Sequence, residues 1–325
     1  MKPVIGIGVP ELRERRGAWL QHFPGGKGQN NCPRFWYVRD GFGCTFRCRY
    51  CYLQRFEHTH DGAELNPNVA GLYREVTAWL KRPGALGLLI GEVTDAWGWA
   101  RSTPFVLTRN LALIDLFRPS TDKTLIFLTK AAFVTELLRD VAPTPQVVLS
   151  WSVQAPEVAT EYEMGSTQAQ QRLHDALRAR RAGWRVRLRL DPMIPIDGWA
   201  DAYHRLAERI IEVAPEQVTL GSWRPRPRDP MYRDAPAPLR ARLEPGGDGR
   251  MRLRDRLAMY EFVATRLSRA VPELSLCKEE FDVQTLLYAR LGITQQACNC
   301  LSAAVPMVAP DGRRHLPLLR AEVLQ

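Results

Sequence analysis

The chain has no run of about 18 or more uncharged apolar residues, so its sequence predicts no membrane-spanning helix. Its first residues, Met1-Lys2-Pro3-Val4-Ile5-Gly6-Ile7-Gly8, hold too short an apolar run for a secretory signal and no small-residue cleavage site. A cytoplasmic location is the expectation. Pro24-Gly25-Gly26-Lys27-Gly28 lacks the spacing of a phosphate-binding loop and the Ser or Thr after its Lys, and reads as a surface loop. There is no low-complexity tract.

What is present is basic. Lys and Arg number 45 against 35 Asp and Glu, a net charge of +10. Such an excess attracts phosphate backbones, although heavy Arg usage alone also produces it. Of the seven cysteines, Cys44, Cys48 and Cys51 cluster early, Cys277, Cys298 and Cys300 lie late, and Cys32 stands upstream. In a reducing compartment this distribution reads as metal or redox chemistry rather than disulfides.

From residue 35 a strand–helix rhythm runs for six units. The strands are read at Phe35–Val38, Leu86–Val93, Thr124–Thr129, Gln146–Val153, an alternating run from Arg185, and Gln217–Gly221. Helices are expected after an Asn66-Pro67 cap, over 109–117, 134–142, from a Ser166 cap to Arg181, and over 199–213. Alternation of this kind implies a parallel sheet with right-handed crossovers. Six units are too few for a closed eight-fold barrel, so the expectation is a partial (β/α)6 TIM-like barrel with a C-terminal extension. The divisions are an irregular segment 1–34, the barrel 35–223, and a basic, Cys-containing extension 224–325. Function belongs at the C-terminal strand ends.

One such end carries Gly43-Cys44-Thr45-Phe46-Arg47-Cys48-Arg49-Tyr50-Cys51-Tyr52. Three thiolates at CxxxCxxC spacing can each take one iron of a cubane, leaving the fourth iron open to an outside molecule. A zinc loop is the alternative, but zinc sites usually supply four ligands, and no nearby His completes this set.

The motif, with an aromatic before its third Cys, resembles that of the radical S-adenosylmethionine (SAM) superfamily. Cys48-Arg49-Tyr50-Cys51-Tyr52-Leu53-Gln54 is similar to spore photoproduct lyase and its DNA repair photolyase-like relatives. So are Gly91-Glu92-Val93-Thr94-Asp95, Phe127-Leu128-Thr129-Lys130, Ser150-Trp151-Ser152-Val153, Glu163-Met164-Gly165-Ser166, Arg181-Ala182-Gly183-Trp184 and Pro192-Met193-Ile194-Pro195. The resemblance implies a [4Fe–4S] cluster on Cys44, Cys48 and Cys51, with SAM bound to it and cleaved to a 5′-deoxyadenosyl radical. It implies Tyr50 near the adenine, Glu92 on the SAM ammonium, and Lys130 and Ser152 about its carboxylate. Tyr50 and Tyr52 match the lyase radical relay. It also implies a DNA or RNA substrate for lesion repair or base modification, and an electron donor such as flavodoxin or ferredoxin. One departure stands out: the lyase has its hydrogen-donating cysteine at the position of Glu92.

Cys277, Cys298 and Cys300 form a candidate second metal site, a hydrogen donor, or simply packed thiols. Trp223-Arg224-Pro225-Arg226-Pro227-Arg228 reads as extended, with guanidiniums splayed toward solvent for phosphate or as a solvated linker. Trp97, Trp99 and Trp223 can stack on a flipped base or fill a core. Two further readings stay open: a radical SAM enzyme modifying a peptide or small metabolite, and a non-catalytic metal- and nucleic-acid-binding module.

Overall fold

The computed structural model describes residues 10–26, 32–56, 63–163, 165–226, 229–245, 249–293, 295–302 and 305–306. Lys27, Gly28, Met164, Pro227, Arg228 and the Gly246-Gly247-Asp248 turn lie outside the described residues.

Eight strands form one sheet. They are β1 (Leu20–Phe23), β2 (Phe35–Val38), β3 (Leu86–Ile90), β4 (Lys123–Thr129), β5 (Val147–Ser152), β6 (Arg185–Met193), β7 (Gln217–Ser222) and β8 (Glu273–Leu276), in the spatial order β8-β7-β6-β5-β4-β3-β2-β1. Strands β2 to β8 run parallel, and β1 lies antiparallel on β2. Strands such as Leu125-Ile126-Phe127-Leu128 and Val147-Val148-Leu149 are buried throughout. Apolar runs of this kind suit a parallel sheet covered on both faces. The six expected strands are all there, extended by one strand at each edge, and the sheet curls into a half-barrel.

The outer face carries the crossover helices: α1 (Ala70–Leu80), α2 (Pro104–Phe117), the short α3 (Val134–Leu137), α4 (Pro156–Tyr162), α5 (Ala169–Arg181), α6 (Trp199–Val213) and α7 (Leu253–Leu267). Helix α8 (Phe281–Leu291) follows β8. Leu72, Leu113, Leu173 and Leu206 from these helices share one core with Leu88, Phe127, Leu149 and Leu188 of the strands. Each fully buried Leu contributes about 1.5–3 kcal/mol.

The inner face is closed differently. Phe35, Leu89, Ile126, Leu128 and Val148 point inward against Cys298 and Cys300. The 297–302 loop is held there by polar ties. Ser150 Oγ donates to Asn299 Oδ1 at 2.7 Å, and Arg187 donates to the carbonyls of Leu301 at 2.6 Å and Ser302 at 3.1 Å.

Several local expectations fail for identifiable reasons. Asn66 does not cap α1: its buried amide donates to Arg13 O at 2.8 Å and Glu64 Oε1 at 3.0 Å, and the helix starts at Ala70. Those bonds tie an N-terminal arm down, so that region is not wholly irregular. Glu11–Leu12 pairs with Glu64–Leu65, and β1 joins the main sheet. Ser166 turns back on the Glu163 carbonyl at 3.0 Å, and α5 begins at Ala169. The helix expected over 134–142 is a single turn, Val134–Leu137. Gly183 does end α5, at φ 95°.

Candidate active site

The cysteine loop follows β2, at the C-terminal edge of the parallel sheet, and is docked on the segment after β3 and on the end of helix α4. The Gly43 N–H donates to Val93 O at 3.0 Å, and the Arg49 N–H donates to Tyr162 O at 2.8 Å. Gly165 lies so close beneath it that a Cβ there would meet Phe46 O at 2.5 Å. Gly91, which ends β3 at φ 104°, leaves no room for a side chain either, since a Cβ would lie 2.2 Å from Leu128 O. Both glycines are demanded by close backbone approach.

Cys44, Cys48 and Cys51 are free thiols within electrostatic reach of one another. Burial raises all three pKa values, that of Cys48 to about 12. Cys51, Tyr50 and Tyr52 line a cavity of about 390 Å³, together with Glu92, Lys130 and Ser152. Tyr50, Glu92, Lys130 and Ser152 therefore line one cavity, and its volume is that of a small-molecule site.

The Tyr52 hydroxyl donates to the Glu92 carbonyl at 2.9 Å, tying the cysteine loop to the end of β3. Lys278 Nζ stands 5.8 Å from the Tyr52 ring centre. Tyr50 is bound more tightly: its hydroxyl donates to Glu163, and Lys130 Nζ lies over its ring at 5.6 Å. Glu163 also receives Arg172 and lies 3.8 Å from Lys130 Nζ. Burial would raise the Glu163 pKa, but Arg172, Lys130 and the Tyr50 hydroxyl together hold it below the usual carboxylate range.

The opposite wall is an arginine–aspartate group. Asp191 accepts from Arg189 at 2.8 Å through one oxygen and from Arg224 at 2.8 Å through the other. Burial opposes the charge on Asp191, but Arg224 and Arg189 overcome it and depress its pKa. Arg224 is thus not splayed toward solvent, since Asp191 and the Ser222 carbonyl draw it inward. Among the described residues of that run Arg226 is exposed, and it lines the cavity. Trp97 and Trp99 are buried in the outer core, with Trp97 at 5.1 Å from the Phe127 ring, and neither lines the cavity. Trp223 does line it, though almost wholly covered.

Sequence reasoning missed the roles of Glu163, Arg172, Arg189 and Asp191. The available signal was a charged residue on an apolar face. Arg172 lies among the inward residues Ala169, Leu173 and Ala176 of α5.

Three free thiols, Cys48 buried and Cys44 and Cys51 partly so, with Cys51 opening on a polar cavity, fit a cluster held by three thiolates. Among the described residues, no three His, Cys, Asp or Glu side chains are placed to share a single metal ion. A cubane does not require that, because each thiolate binds its own iron. Cys277, Cys298 and Cys300 are accordingly not a ready single-ion site.

The curled parallel sheet with a three-cysteine loop at its C-terminal edge defines the radical SAM type of partial barrel. The chain belongs to the spore photoproduct lyase family, whose model matches residues 37–221. It is 25% identical over 178 residues to the Bacillus subtilis spore photoproduct lyase, covering 54% of this chain and 51% of that one. The Clostridium acetobutylicum enzyme is 23% identical over 175 residues, covering 51% and 49%. The chain thus spans about half the length of the curated relatives it matches. Spore photoproduct lyase complexed with dinucleoside spore photoproduct superposes with a TM-score of 0.64 over 82% of both chains, at 16% identity. Streptococcus suis SuiB bound to S-adenosylmethionine gives 0.51 over 77% of this chain and 51% of its own, at 13% identity. Among the described residues, no helix is long and apolar enough to cross a membrane.

Proposed function

We propose that this chain is a radical SAM enzyme acting on nucleic acid, by lesion repair or base modification. The observation that carries the reading is the convergence of the Cys44, Cys48, Cys51 loop with Glu92, Lys130 and Ser152 on one cavity. Cys44, Cys48 and Cys51 hold a [4Fe–4S] cluster, which with bound SAM supplies reductive cleavage to methionine and a 5′-deoxyadenosyl radical, using an electron from a flavodoxin- or ferredoxin-type donor.

The protein's part is placement. The Glu92 carboxylate receives the SAM ammonium, a charge-assisted pair, and Lys130 and Ser152 receive the carboxylate. Glu163 steadies Lys130 and Tyr50 together, so the ammonium and the adenine-side aromatic keep one relative position. Tyr50 and Tyr52, which line the same cavity, serve as the radical relay in this reading. Trp223 and the Arg189–Asp191–Arg224 group line the same cavity. Arg226 and Lys278 at the lining offer cations to a phosphodiester, the feature that favours a nucleic-acid substrate over an uncharged one. The substrate reading draws support from the spore photoproduct lyase relatives, one solved with a dinucleoside spore photoproduct.

The test is anaerobic: reconstitution with iron and sulfide, addition of SAM and dithionite, and assay of 5′-deoxyadenosine with and without damaged DNA. Product from the wild type and none from the Cys44, Cys48, Cys51 triple Ala variant is expected. A fully loaded protein that makes none leaves the metal-binding module as the better reading.

A further inference from the structure

Every cysteine outside the active-site loop converges on one interior position. Cys298 and Cys300 are buried in the apolar lining of the inner sheet face, and Cys32 packs against the same cluster. Cys277, buried at the end of β8, accepts from Arg189 Nη2 at 3.1 Å. Cys32 lies within electrostatic reach of both Cys277 and Cys298. Cys298 and Cys300 share the same buried cluster and lie within electrostatic reach of one another. Thiols used only as small hydrophobes have no reason to gather from three separate segments of the chain.

Two further features point to a ligand. The Nδ2 of Asn299, between Cys298 and Cys300, is buried and has no acceptor among the described residues. The thiols also meet a cation, since Arg189 donates to Cys277, and donors of this kind hydrogen-bond sulfur in iron–sulfur sites and tune them.

We infer that Cys32, Cys277, Cys298 and Cys300 bind a second iron–sulfur cluster inside the half-barrel, beneath the proposed SAM cavity. Soft thiolates select zinc, copper(I) or iron–sulfur clusters. Four thiolates are the ligand set of a [2Fe–2S] or [4Fe–4S] cluster. The site anchors the 297–302 loop to the sheet, and it stands whether or not the chain cleaves SAM.

The experiment uses the full chain, reconstituted anaerobically with ferrous iron and sulfide, desalted, and assayed for iron, acid-labile sulfide and zinc. The Cys44, Cys48, Cys51 triple Ala variant is expected to keep about half the wild-type iron and sulfide, as four further thiolates allow. Adding Cys277→Ala, Cys298→Ala and Cys300→Ala to it removes that remainder. In the otherwise wild-type chain, Cys298→Ser with Cys300→Ser halves the metal while SAM-dependent deoxyadenosine formation still reports the first cluster, which separates metal loss from misfolding. A folded Cys44, Cys48, Cys51 variant without iron overturns the inference, as does zinc without sulfide at the remaining thiols.

Discussion

The Tyr50 hydroxyl donates to the Glu163 carboxylate, and Glu163 also holds Arg172, which is wholly buried. One carboxylate beyond α4 therefore fixes an aromatic of the cysteine loop and the lysine at the end of β4. Removing its charge strands Arg172. Glu163→Gln is expected to cost about 3–5 kcal/mol in urea unfolding at neutral pH. Arg172→Met with Glu163→Gln, which removes both charges, recovers part of that loss.

The same residue sets an acid limit. The folded-state pKa of Glu163 is depressed, so its contribution is complete above the ordinary Glu value of about 4.3 and disappears as pH falls through the lower folded value. Wild type should lose stability over that acid range more steeply than Glu163→Gln. Equal acid slopes in denaturation at a series of pH values would remove Glu163 from this role.

Glu92→Gln and Lys130→Met are expected to weaken SAM binding about 10- to 100-fold, since hydrogen bonds to charged groups contribute about 1.5–3 kcal/mol. Iron content should not change in either variant. Equilibrium binding of SAM to the reconstituted protein measures the first effect, and iron analysis the second.

Gly91 and Gly84 make a matched pair. Both have positive φ, at 104° and 88°, but only Gly91 faces a backbone carbonyl, whereas a Cβ on Gly84 meets nothing within 4 Å. Gly84→Ala should cost about 1 kcal/mol, the lower end of backbone strain. Gly91→Ala should melt far lower or fail to load iron, because β3 and β4 must separate. Similar melting temperatures for the two would show that the carbonyl approach relaxes.

Arg226 and Arg224 divide the basic run by role. Arg226→Ala should weaken DNA binding across sequences and lower the salt slope by about 1, with stability unchanged. Arg224→Ala unbalances Asp191 and should lower the melting temperature even without DNA. Salt-insensitive binding by the wild type would count against a phosphate contact.

Much of this was legible in the sequence because it is local. The six strand–helix units announce themselves by periodicity, and the cysteine spacing marks its own strand end. Glu92, Lys130 and Ser152 were singled out by the resemblance to the family, and all three line one cavity. Glu163 and Asp191 were not assigned roles because their partners lie on other elements. A buried ion pair leaves no local pattern beyond a charge on an apolar face, as at Arg172. The Asn66 and Ser166 caps failed for a related reason, since each side chain finds a better partner than the nearby helix end.

The inner surface of the sheet has a further consequence for biosynthesis. Its strands begin at Leu20, yet the 297–302 loop that covers it is among the last parts of the described chain to be made. Chains emerge from the N-terminus onward, at about 5–20 residues per second. For much of translation the half-barrel is a basket without its lid, its lining open to water and to chaperones. Any metal destined for the four inner thiols has to arrive before, or together with, that final covering.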